Sequence, residues 1–153
     1  MGDSVTNTET RPMRVLFLCT HNSSRSQMAE GYLRARGGER YEAFSAGTQA
    51  RGINPLAIKA LAERGIDISD SVSHRSQTLQ EFLGRQMDLV VTVCDEATEE
   101  CPLFPGARHQ EHWSFPDPSA ATGTEEQRLA VFRQVRDTIE ARLRAWLAGQ
   151  PAS

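Results

Sequence analysis

Two short apolar runs constrain this fold more than any other feature: RVLFLC over residues 14–19 and DLVVTVC over residues 88–94. The first shows no alternation of polar and apolar residues, so it suits a strand buried on both faces. The second is the clearest strand in the chain. Around them the pattern is helical. Met28, Tyr32 and Leu33 recur at helical spacing within residues 24–36, and the Gly37-Gly38 pair stops that segment. Asn54-Pro55 supplies an N-cap and a first-turn proline for a helix reaching Arg64, with Gly65 just past its end.

Residues 41–45 read as a further strand, closed by Ala46-Gly47, and residues 109–113 as another. TLQE at 78–81 and TEEQ at 124–127 are capping boxes. The second box opens a helix with Phe132, Val135, Ile139, Leu143 and Trp146 on one stripe. Strands alternating with helices imply parallel pairing through right-handed crossovers. The expected fold is a single three-layer α/β domain: about four parallel strands, helices on both faces, and an anion-binding loop after the first strand. A chain of 153 residues suffices for one such domain. Its expected limits are residues 13–148, with a flexible tail over 1–12 and a frayed end over 149–153.

Charge and hydropathy exclude several classes. The net charge is −3 and no basic stripe is visible, so no nucleic-acid partner is expected. No stretch approaches the roughly 20 apolar residues of a membrane span. The polar start, MGDSVTNTETRP, lacks the apolar centre of a signal peptide, which leaves a cytoplasmic monomer as the expectation. In that reducing compartment, three cysteines are reactive or inert rather than a stable staple.

One cysteine sits on a polar turn. LCTHNSSRS, residues 18–26, joins the end of the first strand to the first helix. There, at the carboxyl end of a strand, successive backbone N–H groups converge on an anion. Cys19 to Arg25 has the form C-x5-R, long enough to wrap one tetrahedral oxyanion with Thr20, His21, Asn22, Ser23, Ser24, Arg25 and Ser26. Arg25 closes the loop by bidentate contacts. The same amides, the helix dipole and Arg25 favour a Cys19 thiolate, and Ser26 is placed to donate to the sulfur. Alone, C-x5-R is a loose pattern that a buried cysteine and a surface arginine satisfy equally well. The strand before it and the helix after it give it weight.

VLFLCTHNSSRSQMAEGYLR resembles the opening of the low-molecular-weight protein tyrosine phosphatase superfamily, which includes the thioredoxin-coupled arsenate reductases. The similarity continues through SAGTQARGINPLAIKALAERGIDIS, DLVVTVCDEATEECPLFPG and EHWSFPDPSAATG, from about Arg14 to Leu147. Phosphatase chemistry needs one nucleophilic cysteine and water. Two more cysteines stand in CDEATEECP, at the spacing of the reductases this chain resembles.

That match implies a relay. Cys19 attacks arsenate, Cys94 attacks the Cys19 sulfur and releases arsenite, and Cys101 attacks Cys94 to leave a Cys94–Cys101 disulfide for thioredoxin. It implies a detoxifying, arsenical-resistance enzyme. Asp117, in FPDPS, matches the family's general acid, and Asn22 its loop-bracing asparagine. Without the resemblance, Asp117 is a turn residue, Cys94 a small hydrophobe ending a strand and Cys101 a surface thiol.

Where tyrosine phosphatases of this kind carry aromatic residues after the Asp-Pro motif, this chain has Ser119-Ala120-Ala121. The alternative function is nonetheless such a phosphatase, hydrolysing aryl phosphates through a Cys19 phosphoenzyme. A thiol-based metalloid sensor is a third reading, one that needs neither Arg25 nor Asp117.

No metal and no cofactor are expected. Cys94, Cys101, His109 and His112 give a Cys₂His₂ count, but C-x6-C-x7-H-x2-H departs from zinc spacing. On a strand, His109 and His112 also face opposite ways. Some family members bind potassium through residues matching Glu30 and Ser45, with an acid where this chain has His74. Losing that anionic oxygen removes the reason to expect the ion. His21 and His74 are expected to be solvated.

Overall fold

The computed structural model describes residues 11–69, 75–95 and 101–150. Most of the expected tails, His74 and the greater part of the DEATEE segment lie outside the described residues.

Four strands form one parallel sheet: β1 (Met13–Cys19), β2 (Tyr41–Gly47), β3 (Met87–Thr92) and β4 (Ala107–His112), in the spatial order β2-β1-β3-β4. Three α-helices accompany them: α1 (Arg25–Gly37), α2 (Pro55–Ala62) and α3 (Glu125–Ala148). Residues 15–19 of the first run are buried on both faces, as its lack of alternation requires. Val15, Phe17 and Cys19 join one core cluster, while Leu16 and Leu18 join another.

The first cluster takes Met28, Tyr32 and Leu33 from α1, Leu56 and Leu61 from α2, and the α3 stripe of Phe132, Val135, Ile139 and Leu143. All three α-helices therefore cover the same face. The opposite face is covered, among the described residues, by a single 3-10 turn at Leu79–Phe82 and by Phe104, with Phe82 and Phe104 filling the space over Leu16, Leu18 and Val90.

The expected local signals act where they stand. Asn54 accepts the Leu56 N–H and Thr124 accepts the Gln127 N–H, capping α2 and α3. Thr78 and Glu81 form their box, but it opens a 3-10 turn of one revolution. Gly65, past the end of α2, has φ +74°, the left-handed conformation of a helix stop.

The chain steps to one side of β1 to make β2 and to the other side to make β3. Strand order thus reverses between β1 and β3, where an open parallel sheet leaves a crevice at its carboxyl edge. Cys19 is the last residue of β1, and Cys94 lies two residues beyond the end of β3.

Candidate active site

The turn after β1 is held open by its own carbonyl groups, which are all engaged on the outside. Thr20 O accepts from Gln49 N–H (3.0 Å) and Thr48 Oγ1 (3.0 Å), and His21 O from Arg51 N–H (3.2 Å). Asn22 O accepts from Gln27 Nε2 (3.1 Å) and Ser76 Oγ (2.8 Å), and Ser23 O from Asn54 N–H (2.9 Å). With four successive carbonyls turned outward, the amides of residues 21–24 donate no hydrogen bond among the described residues. Such a run of inward amides at a helix N-terminus is an anion nest. Ser24 adds a buried hydroxyl without a partner among the described residues.

Asn22 pins the loop from within. Its φ of +48° makes it the one non-glycine residue with positive φ among those described, and asparagine tolerates that conformation better than most. Its side-chain amide is fully used. Nδ2 donates to Ser26 Oγ and Ser45 Oγ, both at 2.9 Å, and Oδ1 accepts from Gln27 Nε2 (3.0 Å) and Gln77 N–H (2.6 Å). Because Ser26 Oγ receives the Asn22 proton, its own hydroxyl proton is available to Cys19 Sγ, 2.8 Å away. Ser45 Oγ likewise passes its proton to Glu30 Oε1 (2.5 Å).

Glu30 is buried beneath the loop, and burial pushes its carboxyl up to about 7, although Arg34 pairs with it and Ser45 donates to it. Arg34 also donates to Ala43 O (2.9 Å), so a guanidinium lies against Glu30 on the side away from Ser45.

Arg25 and Asp117 close the other side. The Arg25 side chain is only 3% exposed, donates to Phe115 O (3.2 Å) and lies 3.8 Å from Asp117 Oδ2. A guanidinium so desolvated calls for anionic company. Asp117 Oδ1 accepts from Ser119 N–H (3.0 Å) and Ser119 Oγ (2.6 Å). Those bonds orient the carboxylate and leave Oδ2 facing Arg25. Asp117 thus shapes the turn and faces Arg25 at once.

The other two cysteines meet at the neighbouring strand end. The Val93 N–H donates to Leu18 O (2.9 Å), which sets Cys94 one residue along the same edge as Cys19. Cys94 is disulfide-bonded to Cys101, with Cα atoms 5.9 Å apart. Cys94 is fully buried, whereas Cys101 is half-buried and lines a shallow groove of about 420 Å³ with Thr92, Pro102, Leu103 and His112. Leu103, 83% exposed, stands beside it.

Cys94, Cys101 and His112 bring their sulfurs and a ring nitrogen within 4.8 Å of one another, and His109 is not part of that group. With the two sulfurs joined, neither has a thiolate to offer a metal.

The structure therefore brings Cys19, Arg25 and Asp117 together around the turn of residues 20–26, with the Cys94–Cys101 pair on the adjoining strand. Reading the sequence did not single out Gly47, Gln27, Gln77 or the place of His112. The signal for His112 was its position at the end of a strand, which the strand order sets beside the end of β3. Gly47 matters because a Cβ there would stand 2.7 Å from Thr20 O and 2.8 Å from Asn22 N.

Comparison with known proteins agrees with this arrangement. The family model for low molecular weight phosphotyrosine protein phosphatase matches residues 14–151. An arsenate reductase of Halalkalibacterium halodurans is 46% identical over 132 residues, 86% of this chain and 93% of that protein. Among solved structures, an arsenate reductase in its phosphate-binding state superposes with a TM-score of 0.73 at 30% identity, over 89% of this chain and 97% of that one. A thioredoxin-dependent arsenate reductase of Corynebacterium glutamicum does so with a TM-score of 0.63 at 26% identity, over 97% of this chain and 69% of that one. With the cysteine turn, its arginine and its aspartate on the matching scaffold, the chain belongs to the low molecular weight phosphotyrosine protein phosphatase family.

Proposed function

We propose that this protein is an arsenate reductase that works through three cysteines and is regenerated by thioredoxin. The observation that carries the reading is the Cys94–Cys101 disulfide at the sheet edge, beside a turn built around Cys19. A one-cysteine hydrolase has no use for that pair.

Arsenate sits in the turn, held by the amides of residues 21–24, the Ser24 hydroxyl and Arg25. Cys19, as the thiolate stabilised by Ser26, attacks arsenic. The departing oxygen takes a proton from Asp117 and leaves as water. Cys94 then attacks the Cys19 sulfur. The sulfur–arsenic bond breaks with its electron pair left on arsenic, arsenite departs, and a Cys19–Cys94 disulfide remains. Cys101 attacks Cys94, frees Cys19 and makes the Cys94–Cys101 bond, which the thioredoxin dithiol reduces. Cys101 is the more exposed of the two sulfurs, so it is the one an incoming protein thiolate reaches.

The cellular picture we propose is a monomer acting in the cytoplasm, with its folded unit over residues 13–148. No helix among the described residues is long and apolar enough to cross a membrane.

Arsenate-dependent oxidation of NADPH, with thioredoxin and thioredoxin reductase present, tests the reading. Sustained turnover is expected. No turnover, together with rapid aryl-phosphate hydrolysis, would move the protein to the phosphatase branch.

A further inference from the structure

We infer that His112 is a proton donor to the thiolate released when the Cys94–Cys101 disulfide is reduced. The inference rests on the relay proposed above and adds a residue to its last step.

The burial of the two sulfurs is unequal. An attacking thiolate reaches Cys101, and the electron pair of the broken S–S bond then falls on Cys94 Sγ, which is fully buried. A thiolate formed out of contact with water is costly unless a cation or a proton meets it. His112 is placed for that, with a ring nitrogen within 4.8 Å of both sulfurs.

His112 is also held and supplied. Nδ1 lies 2.7 Å from Thr92 Oγ1, which orients the ring from the strand that leads to Cys94. Register pairs Thr92 with His112 across β3 and β4, so the contact is built into the sheet. The ring is exposed, which lets it regain a proton from solvent after each turnover.

The neighbouring acids are Glu111 and Asp95. Glu111, the preceding residue, accepts from Trp113 Nε1 (2.8 Å) and lies 3.7 Å from Arg142 of α3, on the other face of the sheet. Asp95 follows Cys94 and is half-buried.

The step balances without a further reactant. A thiolate of the attacking dithiol forms a mixed disulfide with Cys101 Sγ, and the Cys94–Cys101 bond breaks. Imidazolium at His112 gives its proton to Cys94 Sγ. The second thiol of the reductant then resolves the mixed disulfide and releases Cys101, so both electrons come from the reductant.

The test uses the full chain with its Cys94–Cys101 disulfide formed. Single-turnover reduction is followed for wild type, His112→Gln and His112→Asn, once with reduced thioredoxin and once with dithiothreitol. Both variants should be reduced on the order of tenfold more slowly at neutral pH with either reductant. The gap should narrow as pH rises from about 6 to about 9, since a cysteine of ordinary pKa, about 8.5, leaves as a thiolate with less need of a proton donor at the upper end.

Wild-type rates in either variant overturn the inference. So does a slowing that stays constant across that pH range, since a purely structural role would give that result. The dithiothreitol arm separates this from the choice of reductant. If thioredoxin reduces no form but the histidine effect persists with dithiothreitol, the thioredoxin assignment falls and His112 stands.

Discussion

The two sulfur centres of this protein, at the adjoining ends of β1 and β3, are built in opposite ways. Cys19 lies in a turn tied down from three directions, by residues 48–54, by residues 76–77 and by its own helix through Gln27. Every hydrogen-bonding site on the Asn22 side chain is occupied there. The Cys94–Cys101 pair has a covalent bond of its own and a few flanking contacts, such as Thr92 with His112 and Gln110 Nε2 with Phe104 O. The first arrangement suits a nucleophile that must hold one oxyanion geometry. The second suits sulfurs that must change partners. Preorganisation and exchange are separated onto two strand ends.

The most severe way to break this division is to remove the exchange partner and leave the cradle whole. In Cys101→Ser, the first two chemical steps keep all their groups. One arsenite per protein should be released, after which turnover stops with a Cys19–Cys94 disulfide. Peptide mapping after a single turnover checks this, and free thiols at both positions would contradict the order of the relay.

Next in size is Asp117→Asn, which leaves the exchange chemistry intact and slows the attack on arsenate. The expected loss is roughly 10²-fold in the rate of arsenite release, the lower end of general acid contributions. The cysteines should still form disulfides under a chemical oxidant. An unchanged rate would reduce Asp117 to the turn that its bonds to Ser119 also describe.

The contrast between the centres also explains what could be read in advance. The strands, the capping boxes and the C-x5-R turn are local patterns, so residues 14–19, Thr124 and Cys19 declare themselves within a few positions of sequence. Ser45, Gly47, Gln77 and Ser76 reach the turn from segments up to 55 positions away from Asn22, and no local signal marks them. From sequence His112 offers itself only as a zinc ligand, because its nearness to Cys94 follows from strand order. The opposite faces expected for His109 and His112 do hold some meaning, since only His112 joins the sulfurs. The helical covering was legible as elements but not as sides. Nothing in a stripe of apolar residues tells which face of a doubly buried sheet it will cover.

A smaller effect tests the floor of the cradle. Burial raises the Glu30 carboxyl from 4.5 to about 7, so the folded protein holds a proton there that the unfolded chain gives up at lower pH. Stability from this group is therefore present below about pH 4.5 and lost as pH rises through about 7, a change of roughly 3 kcal/mol. Glu30→Gln removes the titration. Urea midpoints measured across that window should fall with pH in wild type and flatten by that amount in the variant. Equal slopes would mean that Arg34 and Ser45 already compensate the burial.

The smallest expected effect sharpens the comparison most, because it disturbs the cradle without touching a reacting group. At Gly47 an added methyl meets backbone on three sides: Thr20 O at 2.7 Å, Asn22 N at 2.8 Å and Gln49 O at 2.9 Å. None of these is the end of a flexible side chain, so β2 and the turn must separate. Gly47→Ala should cost about 1–3 kcal/mol of stability, the usual range for overpacking. Its functional cost should fall on the cradle alone. Arsenate KM should rise and arsenite release should slow, while the rate at which thioredoxin reduces a preformed Cys94–Cys101 disulfide stays at the wild-type value. If that rate falls too, the turn and the disulfide are one mechanical unit, and the separation of preorganisation from exchange is wrong.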